Sequence, residues 1–277
     1  MMDHPEILEA VRRALEEDIG AGDVTTAACI EEGRLAGGRF LAREPLVVAG
    51  IELLPLIYEM RGGVTDLRLE KASGASVVAG ETIAFVKGRA STLLECERVA
   101  LNFLQRLSGV ATLARGFVER VAGTRCRVLD TRKTTPGLRR LEKMAAAAGG
   151  AINHRMGLFD AVLIKNNHIT ACGGVRQALE KAGQAHGLRV QIEVRTPGEL
   201  REALAAGATH LLLDNLTPAE AAAWVREING RATVELSGGI TLESVRAYAE
   251  TGADFVSAGA ITHSARAVDI SFRLELV

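Results

Sequence analysis

The chain has 277 residues, 48% of them apolar, 24% charged and 4% aromatic, enough for a sizeable core and, at ~150 residues each, about two domains. Its 33 Lys and Arg against 34 Asp and Glu leave a formal charge of -1, too even to make nucleic acid or an anionic membrane the main partner, so any basic site must be local. No apolar run approaches the ~18 residues of a membrane span, and the start, MMDHPEILEAVRRALEED, is acidic and amphipathic where a signal peptide is cationic and then apolar; this predicts a cytoplasmic protein.

Pro5 suits the first turn of a helix, and Ile7, Leu8, Val11 and Leu15 follow at helical spacing until Gly20 and Gly22 stop it. The next segment, AGDVTTAAC, reads as a loop. From about Gly37 to Arg89 the strand-like runs FLAREPLVVAG, VTDLRLEKAS and ETIAFVKGRAS are separated by glycines, with a helical segment at Ile51 to Met60. Helical spacing returns from Thr92 to Val121, with a break expected at Ser108-Gly109. This first part, 1–109, reads as a helix-covered sheet.

Beyond it, the short apolar runs CRVLD, DAVLIK, VQIEV, THLLLD, ATVEL and ADFVSAG alternate with Ala-rich helical stretches, which is serial β/α wiring. The runs end at Lys165, Glu193, Asp214, Ser237 and near Ser257, in steps of 28, 21, 23 and 20 residues. Each step holds one strand, one helix and two short loops. Polar groups gathered at strand C-termini are what a (β/α) barrel offers, although an open doubly wound sheet has the same periodicity. Residues 110–266 are few for eight units, which predicts an incomplete or compact barrel. Cys29, Cys96, Cys126 and Cys172 lie far apart with no CxxC pair and are expected to be free thiols.

The densest cationic segment is LDTRKTTPGLRRLEKM. Arg139, Arg140 and Lys143 follow Pro136-Gly137 in a helical stretch and read as a solvated face. Arg132 and Lys133 instead come directly after the CRVLD strand, and Lys165 terminates AVLI; a cation on a barrel rim is desolvated unless an anion pairs with it, so a polyanionic ligand is favoured. His154 beside Arg155 either extends that cradle or is a satisfied structural group. Glu193 and Asp214 either balance charge or hold Mg²⁺ and sugar hydroxyls. Two glycine turns, Ser237-Gly238-Gly239 and Ala258-Gly259-Ala260, the first expected to open a helix near Thr241, offer backbone N–H groups to a phosphate. The residues alone thus reach a barrel enzyme for a phosphosugar and an anionic second group. They leave open a Schiff-base aldolase using Lys165, while GASVVAGETIAFVKG, with the glycine spacing of a lipoyl or biotin carrier hairpin, lacks a lysine in a central turn.

ERVALNFLQRLSGVAT, LDTRKTTPGLRRLEK, GGAINHRMGLFDAVLIKNNHI, LLLDNLTP, ELSGGI and VSAGAITHSARAVDIS, in this order, resemble the quinolinate phosphoribosyltransferases, the family of nicotinate-nucleotide pyrophosphorylases. The resemblance implies an N-terminal α/β sandwich, with residues 267–277 packed on it, and a C-terminal partial (β/α) barrel of the type II phosphoribosyltransferase kind. It implies that quinolinate and 5-phosphoribosyl pyrophosphate become nicotinate mononucleotide, pyrophosphate and CO2, with Mg²⁺, on the de novo route to NAD. It also implies a homodimer, or an oligomer of dimers, in which Arg98 reaches quinolinate in the neighbouring subunit. Carried over by motif, Thr131, Arg132, Lys133, His154, Arg155 and Lys165 line the quinolinate pocket, and Lys133 and Lys165 sit between its quinolinate and pyrophosphate ends. Glu193 and Asp214 hold the ribose hydroxyls and, directly or indirectly, the metal. Ser237, Gly238, Gly239, Ala258, Gly259 and Ala260 take the 5-phosphate. The chain departs from the family pattern at Asn166, usually acidic, and at Arg195, often Glu. A related subfamily associated with molybdenum transport shares TRKT and HRxGL but usually lacks LIKxNH, so Lys165 argues against it.

Overall fold

The structure, a computed structural model, describes residues 2–184 and 187–276. Contacts divide it into two compact units, each discontinuous in sequence: Met1–Arg115 with Thr134–Gly150 and Ile261–Val277, and Gly116–Lys133 with Ala151–Ala260. Strands β1 (Leu35–Ala42), β2 (Leu46–Val47), β3 (Asp66–Leu69), β4 (Ser76–Val77) and β5 (Thr82–Arg89) belong to the first unit. Strands β6 (Arg127–Leu129), β7 (Val162–Ile164), β8 (Val190–Val194), β9 (His210–Asp214), β10 (Thr233–Ser237) and β11 (Phe255–Ser257) belong to the second, and β12 (Ile270–Leu276) returns to the first.

In the first unit, β12-β1-β5-β3 form an antiparallel sheet. Gly38 on β1 is required by a close approach, because a Cβ there would lie 2.0 Å from the Phe272 ring, which packs on Phe40 with centroids 4.9 Å apart. Helix Pro5–Ile19 buries Ile7, Val11 and Leu15, the stripe its spacing predicts. The segment expected as a loop contains a helix, Val24–Cys29, because the Asp23 carboxylate accepts the N–H groups of Thr25 and Thr26 at 3.0 and 2.9 Å and caps it.

Helix Ala90–Arg120 runs unbroken through Ser108-Gly109. The glycine there answers a contact rather than a bend, since a Cβ on Gly109 would lie 1.9 Å from the Arg266 carbonyl oxygen. Buried Ser108 takes the Ala49 N–H at 3.0 Å. Helix Arg139–Ala148 also departs from its expected solvated face, because Glu142 and Lys143 are fully buried. Glu142 accepts from Arg106 Nη2 at 2.7 Å and from the Thr135 N–H and hydroxyl at 3.0 and 2.7 Å. Arg106 donates further to the carbonyls of Thr262 and Ala265, both at 2.5 Å, and a carboxylate so surrounded tolerates burial. Arg139 and Arg140 are half-buried, donating to Thr134 Oγ1 and Glu6 respectively.

The second unit holds one parallel sheet in the order β6-β11-β10-β9-β8-β7, and Ile152 extends it by a parallel bridge to Leu129. Helices Asn166–Cys172, Val175–Ala182, Pro197–Ala205, Pro218–Ile228 and Val245–Ala249 supply the crossovers, so this is the expected partial (β/α) barrel. Ile192, Leu211, Leu213, Val234, Leu236 and Val256 are buried along its strands. The four cysteines are free. Among the described residues no helix is long and apolar enough to cross a membrane.

Candidate active site

Parallel strands deliver all their C-termini to one edge, and that edge of the second unit collects the polar residues anticipated from sequence. Asp130 to Lys133 follow β6, His154 and Arg155 follow the Ile152 bridge, and Lys165 follows β7. Glu193 lies near the end of β8, Asp214 ends β9 and Ser237 ends β10, while Ala258 to Ala260 follow β11. Lys133 and Lys165 are exposed, and Thr131, Arg132 and Arg155 are half-buried. Thr131 Oγ1 accepts the Lys133 N–H at 3.1 Å, and the His168 ring accepts the Lys165 N–H at 2.9 Å, which sets the start of the following helix. Arg98 is exposed on helix Ala90–Arg120, in the first unit.

The carboxylate end is tightly connected. Ser237 Oγ donates to Asp214 Oδ1 and Asn215 Nδ2 to Asp214 Oδ2, each at 2.6 Å, and the Asn215 N–H reaches the Ser237 carbonyl at 2.9 Å. Asn215 adopts a φ of 58° to do so. Gly238, at φ +97°, lies so close that a Cβ would sit 2.3 Å from Asn215 Oδ1. Only glycine fits there. Buried Glu193 pairs with Arg195, whose Nη2 lies 2.5 Å from Glu193 Oε1 and 3.9 Å from Asp214 Oδ2. The glycine turn does not open directly onto a helix: Thr241 and Ser244 bond reciprocally, N–H to hydroxyl, at 3.0 and 3.3 Å, and the helix begins at Val245.

The cationic end is held from beneath. Asp130, fully buried, accepts the His154 N–H at 2.8 Å and Asn153 Nδ2 at 2.6 Å. His154 Nδ1 accepts the Arg155 N–H at 2.7 Å, so the ring proton sits on Nε2, which faces Glu235 Oε2 at 3.3 Å. Glu235 also accepts Gln191 Nε2 at 2.8 Å. Burial pushes the Glu235 carboxyl up, but hydrogen bonds from His154, Gln191 and Ser257 outweigh it and hold it below its ordinary value. Arg155 Nη1 donates to the Ala161 carbonyl at 3.1 Å. Burial and the positive charge of Arg132 push the Arg155 guanidinium below its ordinary value, against the opposing pull of Asp160. It stays charged nonetheless.

Sequence reasoning missed Asp130, Gln191 and Glu235. The available signal was a polar or charged residue inside or closing an apolar run, as in ATVEL, VQIEV and CRVLD. Among the described residues no three His, Cys, Asp or Glu side chains gather as a protein-only metal cage. Glu193 and Asp214 are nevertheless hard oxygen donors of the kind that Mg²⁺ takes in ones and twos beside substrate phosphates, so they fit a metal that arrives with pyrophosphate.

Residues 110–273 match the family described as quinolinate phosphoribosyl transferase, C-terminal domain, and residues 23–108 its N-terminal domain. The chain is 39% identical over 273 residues to a nicotinate-nucleotide pyrophosphorylase [carboxylating] of Mycobacterium leprae, covering 96% of each. It is 39% identical over 295 residues to quinolinate phosphoribosyltransferase [decarboxylating] 2, mitochondrial, of Nicotiana glauca, covering 98% of this chain and 84% of that one. The crystal structure of nicotinate-nucleotide pyrophosphorylase from Ehrlichia chaffeensis superposes with a TM-score of 0.92 at 36% identity, covering 96% of this chain and 98% of that one.

Proposed function

The chain belongs to the quinolinate phosphoribosyltransferase family, and from that premise we propose that its barrel-edge site transfers phosphoribosyl from 5-phosphoribosyl pyrophosphate to quinolinate with decarboxylation, giving nicotinate mononucleotide, pyrophosphate and CO2 for NAD synthesis. The observation that carries this reading is the Arg132–Arg155 pair. Arg132 and Arg155 are both half-buried on the same sheet edge, the charge of Arg132 disfavours that of Arg155, and a dianion such as quinolinate, which brings two carboxylates, offsets this most.

Arg132, His154 and Arg155, with Thr131, form the carboxylate end, and Lys133 and Lys165 lie between it and the pyrophosphate. Ser237 to Gly239 and Ala258 to Ala260 receive the 5-phosphate through backbone N–H groups. As pyrophosphate departs, positive charge develops on the ribose ring, where Glu193 and Asp214 stabilise it; Ser237 and Asn215 hold the Asp214 carboxylate in place for that task. The pyridine nitrogen attacks the anomeric carbon, and no protein nucleophile is needed. The ring nitrogen, now cationic, stabilises the carbanion left when CO2 leaves, which then takes up a proton. Glu193 and Asp214 would hold Mg²⁺, which when bound would offset negative charge on the leaving pyrophosphate.

The site is completed in a homodimer by Arg98 of the other subunit, an assignment supported by the ERVALN motif and by the exposure of Arg98. Four free cysteines suit the reducing cytoplasm. The test is pyrophosphate release with quinolinate and with nicotinate. Nicotinate leaves one set of donors without its anion, and its kcat/KM falls at least about a hundredfold below that of quinolinate. Comparable rates would refute the assignment.

A further inference from the structure

Glu235 stands in the middle of the central strand β10, its side chain 4% exposed, and yet it holds its carboxylate ionised beneath the rim. Burying a charge there costs far more than an apolar residue would, and a core glutamate persists only where its contacts do something that packing does not. Two of them, with one bond beyond, run in one direction. Gln191 fixes the carboxylate from β8, the carboxylate takes the Nε2–H of His154, and the far ring nitrogen, Nδ1, accepts the backbone N–H of Arg155. Both ring nitrogens are therefore engaged by protein. At the end of this chain is Arg155, which Arg132 repels.

We infer that Glu235 is a positioning residue that acts through His154 on the main chain of Arg155, fixing the segment from which the Arg155 guanidinium is presented to an incoming dicarboxylate. This rests on the quinolinate reading of the site. In it, His154 serves the carboxylate end by holding the Arg155 main chain in place. The brace prepays the ordering of Arg155 that binding would otherwise cost.

The experiment is a comparison of wild type, Glu235→Gln, Arg155→Ala and the double variant, with quinolinate and 5-phosphoribosyl pyrophosphate titrated separately by calorimetry. Glu235→Gln, isosteric but uncharged, weakens quinolinate about ten- to hundredfold. Its affinity for 5-phosphoribosyl pyrophosphate stays within about twofold, and in the Arg155→Ala background the substitution adds less than about twofold. Should Glu235→Gln fail to fold, His154→Asn carries the same test, since its Oδ1 can still take the Arg155 N–H while nothing reaches Glu235. In the ligand-free protein, the His154 Nε2–H gives a slowly exchanging downfield proton resonance that broadens in Glu235→Gln. Unchanged quinolinate affinity, equal weakening of both substrates, multiplying losses in the double variant, or an unaltered resonance each overturn the brace. Failure of wild type to bind quinolinate overturns the substrate reading instead, and the resonance then judges the brace alone.

Discussion

Ser237 and Asp214 are tied across adjacent strands, hydroxyl to carboxylate at 2.6 Å, and Asn215 occupies the other carboxylate oxygen at the same distance. The Asp214 carboxylate is thereby fixed before any substrate arrives, which is the condition for electrostatic catalysis to avoid reorganisation at the moment of reaction.

Removing charge from this end strikes the transition state more than the ground state. Asp214→Asn or Glu193→Gln lowers kcat about 10²- to 10³-fold while the Kd for quinolinate moves less than about twofold. Rapid-quench turnover and equilibrium binding read the two quantities. Collapse of quinolinate affinity with kcat preserved would falsify the assignment.

Gly238→Ala forces a Cβ to within 2.3 Å of Asn215 Oδ1 at a φ of +97°. The backbone conformation alone costs about 1–3 kcal/mol, and the displaced Asn215 loosens Asp214. We expect a lower Tm and a kcat/KM for 5-phosphoribosyl pyrophosphate reduced at least about tenfold; a variant with wild-type kinetics contradicts the interlocked turn.

If Arg98 acts in trans, as proposed, the enzyme is expected to be inactive as a monomer. Inactive Arg98→Ala chains mixed with inactive Lys133→Ala chains recover activity, because a mixed dimer contains one site with both native residues. Random equilibrium mixing makes about half the dimers mixed, each with one good site, so roughly a quarter of wild-type activity returns. Absence of recovery after confirmed subunit exchange places Arg98 elsewhere.

Arg106→Met strips buried Glu142 of its guanidinium and leaves an uncompensated charge, costing about 3–5 kcal/mol. Urea unfolding measures the loss. The double variant Arg106→Met, Glu142→Met removes both charges and regains part of it.

Glu44 carries an acid-sensitive contribution. The Arg266 guanidinium and the Asp269 N–H hold its carboxyl down from about 4.5 to about 2. A folded-state value below the unfolded one stabilises fully above pH 4.5 and is lost as pH falls toward 2. Solvent screening keeps the effect small at this exposed pair. Carboxyl NMR titration gives the value directly, and Arg266→Ala returns it toward 4.5.

The apolar runs and their polar last residues determined the strand series and the edge on which Lys165, Glu193, Asp214 and Ser237 meet. Strand burial and crossover length are local properties of a chain, and a parallel sheet converts them into one shared rim without further information. What the chain alone left open was the fate of each charge. Lys143 and Glu142 lie on the helical stretch read as solvated, yet both are buried; for Glu142 the compensating partner is Arg106, 36 residues away. Gly109 looked like a helix break and is the seat of a backbone contact with Arg266. Glu235 was one acid in an apolar run until folding set it against Gln191, 44 residues away, and against His154. A buried charge is tolerable only where a partner meets it, and such partners come from distant segments that no local periodicity relates, so tertiary structure alone decided which charged residues belong to the core and the site.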